Sequence, residues 1–295
     1  MSTEKTKKRL SKKAKTVISV LCAVFVLLAA ELIYSNYYIE AESFEYSAEN
    51  VPPAFDGVKI VSVTDYHNHG GFYEDDLIHK IERVSPDYIF LVGDIVDSTF
   101  TDINVVSRFF KRCSAIAPCY LCFGNHEQRV FGEGLYDSYM TCAEDAGVTV
   151  LDNKAVTLER GNDKLTLIGT SNPLEQNMLS EILEGADKQT PLLWIHHYPE
   201  DFADMTADAE SLGFQKCLMF CGHAHGGLIR MPFTNQGIYA PGQGLFPKFT
   251  GGEYYSNNSE MILSRGCGNS GATLRMFDPF EIVVCTLGSE KAELV

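Results

Sequence analysis

Outside its first fifteen residues the chain has few basic side chains. Of 24 Lys+Arg and 39 Asp+Glu overall, the first forty residues hold seven basic and three acidic groups, which leaves 17 against 36 and a net charge near −19 for the rest. Such a surface repels phosphate backbones, and a nucleic-acid binder needs a basic footprint. A nuclease working on long polymers is therefore disfavoured, and no nucleic-acid partner is expected, whereas a small phosphate ester drawn in by metal ions is not excluded. The chain also lacks internal repeats and low-complexity tracts. Nine cysteines are scattered along it, but Cys119-Tyr-Leu-Cys122 has no second pair to complete a zinc or redox motif and no helix start after it. These two therefore read as small hydrophobes of a buried strand. Whether Cys113, Cys142, Cys217 and Cys221 pair is not readable from sequence.

One long apolar run is present, from about Val17 to Tyr34, and Lys5, Lys7, Lys8, Arg9, Lys12, Lys13 and Lys15 precede it. A spanning helix needs roughly 17–25 residues. Leu28-Ala29-Ala30 makes a poor cleavage site, so an uncleaved signal anchor fits better than a signal peptide. The basic flank should stay in the cytoplasm by the positive-inside rule, which puts the remainder outside. The expectation is a single-pass protein of the cell membrane with an extracytoplasmic domain. The opposite insertion suits the many cysteines better, but the basic flank argues against it. The chain divides into a basic cytoplasmic tail (1–16), a transmembrane signal anchor (17–34), a polar connector (35–56) suited to a short stalk, one domain (57–288) and a C-terminal tail (289–295).

Within the domain, short β-branched or apolar runs end in polar residues. Val58–Thr64 ends at Asp65, Tyr88–Val92 at Gly93-Asp94, Cys119–Phe123 at Gly124-Asn125-His126, Leu192–Ile195 at His196-His197, and Cys217–Cys221 at Gly222-His223-Ala224-His225. Amphipathic stretches with helical spacing, Tyr73–Val84 and Val105–Ile116, lie between the early runs. Strand, site residue, helix is the repeating unit, and in open α/β sheets ligands bind outside the carboxyl ends of the strands. Val148–Leu151, Lys164–Ile168 and Glu281–Leu287 read as flanking strands, partly antiparallel. The composition supports two packed sheets with helices outside.

The five clusters hold six of the eight histidines, seven if His69 just beyond the first is counted. With their Asp and Asn residues they supply the hard and borderline ligands that a pair of divalent ions needs, including a carboxylate able to bridge. Each element also has an ordinary explanation. Asp94 after Gly93 could form a turn, and Asn125 could cap a helix. His79 sits in an expected helix and reads as structural, and His69 as lining a pocket without binding metal. Glu127 reads as supporting its neighbours, with capping or surface roles open. The Gly- and aromatic-rich stretch Pro241–Tyr255 reads as a packed loop, or else a lip over the metals. Successive strand residues point to opposite faces, so only one of His196 and His197 should reach the ions.

The order of blocks, Asp-x-His, Gly-Asp, Gly-Asn-His, His and Gly-His-x-His, resembles the calcineurin-like metallophosphoesterase superfamily over about residues 57–288. The segment from Gly222 through Tyr239–Lys248 to Ser264–Ser270 looks like its membrane-associated bacterial phosphodiesterase branch. The resemblance implies a four-layer α-β-β-α sandwich of two packed mixed sheets with the metal site at strand C-terminal ends. It implies that Asp65, His67 and His225 hold one metal and Asn125, His197 and His223 the other, that Asp94 bridges them, and that a bridging hydroxide attacks in line. His197-Tyr198-Pro199 matches the family's His-x-Pro block, which selects His197 and leaves His196 to packing. His126 is implied as the residue that protonates the leaving alkoxide or stabilises phosphoryl charge. The cofactors expected are two divalent ions, Mn, Fe or Zn. The substrate expected is a phosphodiester, and the membrane setting points to lipid-linked or cell-wall-linked phosphoesters. A phosphomonoesterase or protein phosphatase, and a metal-binding surface module without catalysis, are the alternatives.

Overall fold

The computed structural model describes residues 11–289 apart from 173, 235 and 272, so most of the basic tail and residues 290–295 lie outside the described residues. The chain begins with helix α1 (Lys12–Tyr37), which contains the whole apolar run, and continues as β1 (Ile39–Ser47), β2 (Lys59–Val63), α2 (Phe72–Val84), β3 (Tyr88–Val92), α3 (Ile103–Ser114) and β4 (Cys119–Cys122). Next come α4 (Asn125–Gly132), α5 (Tyr136–Ala146), β5 (Thr149–Val150), β6 (Lys154–Arg160), β7 (Asp163–Thr170), α6 (Gln176–Ile182) and β8 (Leu192–His196). The chain closes with α7 (Phe202–Ser211), β9 (Cys217–Cys221), the pair β10 (Tyr239–Ala240) and β11 (Gly244–Leu245), then β12 (Gly252–Ser256), β13 (Ser259–Leu263) and β14 (Phe280–Gly288).

Two six-stranded sheets form, ordered β1-β14-β2-β3-β4-β5 and β12-β13-β9-β8-β7-β6. Both are mixed: β2, β3, β4 and β5 run parallel while β14 opposes β2, and β7, β8 and β9 run parallel while β6 opposes β7. Side chains alternate across each strand, so a strand buried on both faces must be apolar throughout. In β3, Phe90 and Val92 face the other sheet, while Ile89 and Leu91 face α2 and α3. In β9, Leu218 and Phe220 face inward, and Cys217 and Met219 face α7. Phe90 and Phe220 meet edge to face between the sheets at 5.3 Å. The result is a four-layer α-β-β-α sandwich. Cys119 and Cys122, three residues apart on β4, fall on opposite faces and pack into different cores. No disulfide joins the cysteines of the described residues.

The helix expected from Val105 begins two residues earlier, at Ile103, because the Asp102 carboxylate caps it by accepting the Asn104 N–H at 2.9 Å. A larger correction concerns residues 35–56. The polar connector is not a stalk: Ile39–Ser47 pairs in parallel with Phe280–Gly288 along nine residue pairs. The polarity that suggested a linker is that of an edge strand with one solvated face. Arg265, mostly buried, holds this edge by donating to Glu281 and to Glu40 Oε2 at 2.7 Å. Cutting the chain at residue 41 would remove part of a strand, not a tether.

Candidate metal centre

All five polar clusters sit where parallel strands end, three on one sheet (after β2, β3 and β4) and two on the other (after β8 and β9). The loops after β2 and β3 run side by side, with the N–H groups of Asp65, His67 and Asn68 donating to the carbonyls of Gly93, Asp94 and Ile95 at 3.0–3.1 Å. Asp65, His67, Asp94, His223 and His225 all adopt positive φ, between 47° and 70°. Such backbone costs of order 1–3 kcal/mol per residue and persists only where the surroundings enforce it. Here it turns five side chains inward from strand ends. Gly93 shows how tight the packing is: at φ 76° a Cβ there would lie 2.7 Å from His197 Nδ1.

The expected ligands converge in two groups, and a third cluster able to hold a cation, His67, Asp97 and His126, shares His67 with the first. Asp65, His67 and His225 form one, with Asp65 Oδ1 3.5 Å from His225 Nε2 and 3.9 Å from His67 Nε2. Asp94, His197 and His223 form the other, with Asp94 Oδ2 3.2 Å from His197 Nε2. That oxygen also lies 3.9 Å from His67 Nε2, so Asp94 stands between the groups. Asn125 lines the same cavity as Asp94 and His223. Asp65 Oδ1, His67 Nδ1 and Nε2, Asn125 Oδ1 and His197 Nε2 are buried without a hydrogen-bond partner. A buried polar atom left unpaired costs about 1–3 kcal/mol, and here four converge, Asp65 Oδ1, His67 Nε2, Asn125 Oδ1 and His197 Nε2, while His67 Nδ1 faces Asp97. Divalent cations satisfy this donor set, so the residues present fit a metal site.

Three of the rings are held in the neutral form that a ligand needs. Burial pushes His67 and His223 down to about 3 and holds His225 well below its ordinary value, keeping these rings neutral with lone pairs free to ligate. Burial likewise pushes Asp65 up to about 6. At His197 burial is outweighed by the Asp94 and Asp65 carboxylates, which lift the ring to about 10 and favour its protonated form, so a cation held there must displace that proton. At Asp94 burial is outweighed by the facing imidazoles, which hold the carboxyl well below its ordinary range. His197 Nδ1 donates to the Val92 carbonyl at 2.9 Å, which turns Nε2 toward Asp94. A hydrogen bond of this kind orients an imidazole for ligation.

The supporting residues were hidden from the sequence. Asp97 Oδ2 lies 3.5 Å from His67 Nδ1, and its carboxylate accepts the N–H groups of Thr99, Phe100 and Gly271. Arg275, fully buried, has Nη2 3.2 Å from His225 Nδ1 and donates to the Gly268 carbonyl at 2.8 Å. Only the Asp-x-x-Asp spacing after Gly93 offered a signal for Asp97; Arg275 offered none. Glu127 was legible as a neighbour of His126, but not its reach: it accepts from the backbone of Asp94, Ile95, Val96 and Gly124 and from Tyr139 Oη.

The remaining candidates separate. His196 lies away from the cluster, between Thr170 and Asp201, with Nε2 3.0 Å from Asp201 Oδ2. His69 stacks on Tyr73 at 4.0 Å, and His79 is exposed beside Glu82. Within Pro241–Tyr255, Pro241 and Gly242 line the cavity beside His223, whereas Gln243 is tied to the Phe249 backbone, so the stretch is part lip and part packed loop. His126 stands at the cavity wall edge-on to His67, with ring centroids 4.5 Å apart.

The calcineurin-like phosphoesterase family profile matches residues 58–227. An uncharacterized metallophosphoesterase of Bacillus subtilis, YkuE, is 30% identical over 86% of this chain and 87% of its own length. An uncharacterized metallophosphoesterase of Aquifex aeolicus is 24% identical over 90% of this chain and 97% of its own. The phosphodiesterase YaeI of Escherichia coli is 28% identical over 60% of this chain and 64% of its own. The protein belongs to the calcineurin-like phosphoesterases. It is a metal-binding hydrolase in class, and its N-terminal helix is long and apolar enough to cross a membrane.

Titrating Mn²⁺ into chelator-stripped protein should raise the unfolding temperature, because a ligand that binds only the folded state adds about 2.7 kcal/mol at a hundredfold excess over Kd. Differential scanning fluorimetry would show it. An unchanged midpoint with Mn²⁺, Fe²⁺ and Zn²⁺ alike would count against a metal site.

Proposed function

We propose that this protein is a dinuclear metal-dependent phosphodiesterase, anchored by α1 with its catalytic domain outside the cytoplasm. The observation that carries the reading is Asp94 standing between two ligand groups whose unpaired buried atoms share one centre. Asp65, His67 and His225 would hold one ion, Asn125, His197 and His223 the other, with Asp94 shared. Nitrogen and oxygen donors suit manganese, iron or zinc. Two such ions would lower the pKa of a bound water and neutralise charge on the attacking and leaving oxygens. In the overall reaction water adds to phosphorus, one ester P–O bond breaks, and the departing oxygen takes a proton, giving a phosphomonoester and an alcohol. The lysine-rich flank of α1 supports the extracytoplasmic orientation.

His126 has a definite protonation pattern. Its Nδ1 accepts the Ser98 N–H at 2.9 Å, so the neutral ring carries its proton on Nε2. Burial lowers the ring's pKa, which favours that neutral form. Nε2 faces the cavity, 4.0 Å from Asp94 Oδ2, with Ser270 Oγ 3.4 Å away as an acceptor; Arg129 Nη1, also at 3.4 Å, can only donate and so makes no bond to Nε2 in this tautomer. A neutral N–H donor fits stabilisation of phosphoryl charge better than proton delivery. The preference for diesters rests on the phosphodiesterase relative.

The test is hydrolysis of bis(p-nitrophenyl) phosphate against p-nitrophenyl phosphate by the Mn²⁺-loaded full chain, with His126→Ala alongside. The diester should be preferred at least about tenfold in kcat/KM, a gap of 1.4 kcal/mol. His126→Ala should keep its metal and lose roughly 100- to 1,000-fold, the usual loss for one such donor, equally on activated and unactivated esters. Preference for the monoester would sink the diester reading, and a loss concentrated on poor leaving groups would restore the acid role.

A further inference from the structure

Two cavities meet at the metal centre. One, about 470 Å³, is lined by Asp94, Asn125, His126, Arg129 and His223 together with Leu228, Tyr239 and Pro241. The other, about 550 Å³, runs from His67 and Asp97 to the end of α1, where Leu32, Ile33 and Tyr37 form its wall opposite Phe100 and Leu274. Thr273 borders both, and the His67 and His225 rings that separate them stack at 5.2 Å.

The helix forming that wall is fixed in place. Asn36, near its end, donates to the Arg275 carbonyl at 2.7 Å and accepts the Arg275 N–H at 3.0 Å, while Ser35 Oγ and Glu31 Oε1 accept the N–H groups of Asp278 and Phe277. The membrane-length helix is thereby joined to the segment that holds His225. None of its apolar window is covered by the rest of the chain. Exposed apolar side chains flank the helix end on two sides, Phe100 (67%) and Leu274 (63%) by this cavity, and Phe233 by the one beside Glu31 and Tyr34. A hydrocarbon chain leaving the membrane meets the apolar mouth formed by Leu32, Ile33, Tyr37, Phe100 and Leu274, beyond which Asn36, Asn68, Asp97 and Asn269 line the inner end beside His67 and suit the polar phosphoester.

Building on the phosphodiesterase reading, we propose that this cavity binds the hydrocarbon chain of a membrane-embedded phosphoester, presenting the phosphate to the metal centre and the polar headgroup to the Arg129 side. α1 is then part of the substrate site as well as an anchor, and the protein cleaves lipids laterally from the bilayer.

The test uses the Mn²⁺-loaded full chain in lipid nanodiscs with p-nitrophenyl alkyl phosphates from methyl to hexyl, which share one leaving group. kcat/KM should rise with each methylene, by at most about fourfold, the full value of burying a CH₂. Leu274→Asp should flatten that slope. A flat wild-type series with turnover intact would overturn the lipid inference and leave the diesterase reading standing, and no turnover of any member would overturn both. A binding measurement avoids catalysis altogether: maleimide labelling of Leu274→Cys, followed by mass spectrometry, should slow at least tenfold with octyl phosphate and be unaffected by inorganic phosphate. Equal labelling rates under both conditions would also overturn the inference.

Discussion

Asp94→Asn should leave the fold intact and remove metal-dependent turnover. The Asp94 side chain works at both ends. Oδ1 accepts the His126 N–H at 2.8 Å at the start of α4, and Oδ2 faces His197 and His67. An asparagine can keep the first contact but brings no charge to the second, where the proposed ions share it. Changing a residue that only supports a metal ligand typically costs 10- to 100-fold in affinity or activity. A carboxylate common to both ions should cost more, so the expected loss in kcat/KM exceeds about 100-fold, with a lower metal stoichiometry by elemental mass spectrometry. Two ions per chain and wild-type turnover in the variant would mean that Asp94 bridges nothing.

Glu127→Ala should be the most damaging change to stability among the residues around the site. The carboxylate is fully buried and accepts the N–H groups of Asp94 and Ile95 at 2.8 Å, Gly124 at 2.9 Å and Val96 at 3.2 Å, with Tyr139 Oη at 3.0 Å. Burial and the Asp94 charge push its pKa up, and the backbone donors oppose that shift. Truncation leaves these donors without a partner in a space the loops cannot close. At about 1–3 kcal/mol for each unsatisfied donor, partly relieved by entering water, the loss should reach at least about 4 kcal/mol. That is a large share of the roughly 5–15 kcal/mol that holds a domain together. A drop of roughly 8–16 °C in unfolding temperature is expected. Glu127→Gln keeps one acceptor oxygen and should fall between. A Glu127→Ala midpoint within a degree or two of wild type would show that the loops hold themselves.

The metal-centre residues were legible because each sits directly after a hydrophobic strand. A run such as Tyr88–Val92 or Cys217–Cys221 is buried on both faces, so its composition declares a strand, and the first polar residues beyond it mark the carboxyl edge where loops converge. Local order thus specified the strands of the layered fold, the polar residues that gather at their ends and the apolar helix. Local order alone could not choose between His196 and His197. The strand carries His196 toward Thr170 and Asp201, and the chain turns His197 into the centre. The connector was misread for a related reason: β1 is polar because one face is solvated, and its partner β14 lies at the other end of the chain. Asp97, Arg275 and the span of Glu127 depended on contacts between segments distant in sequence, such as Asn36 with Arg275. The sequence by itself determined which chemistry this protein can hold, since side-chain type and strand periodicity are local. Only the tertiary structure decided what supports that chemistry and what reaches it, because the N-terminal helix becomes a wall of the site only when the two ends of the chain meet.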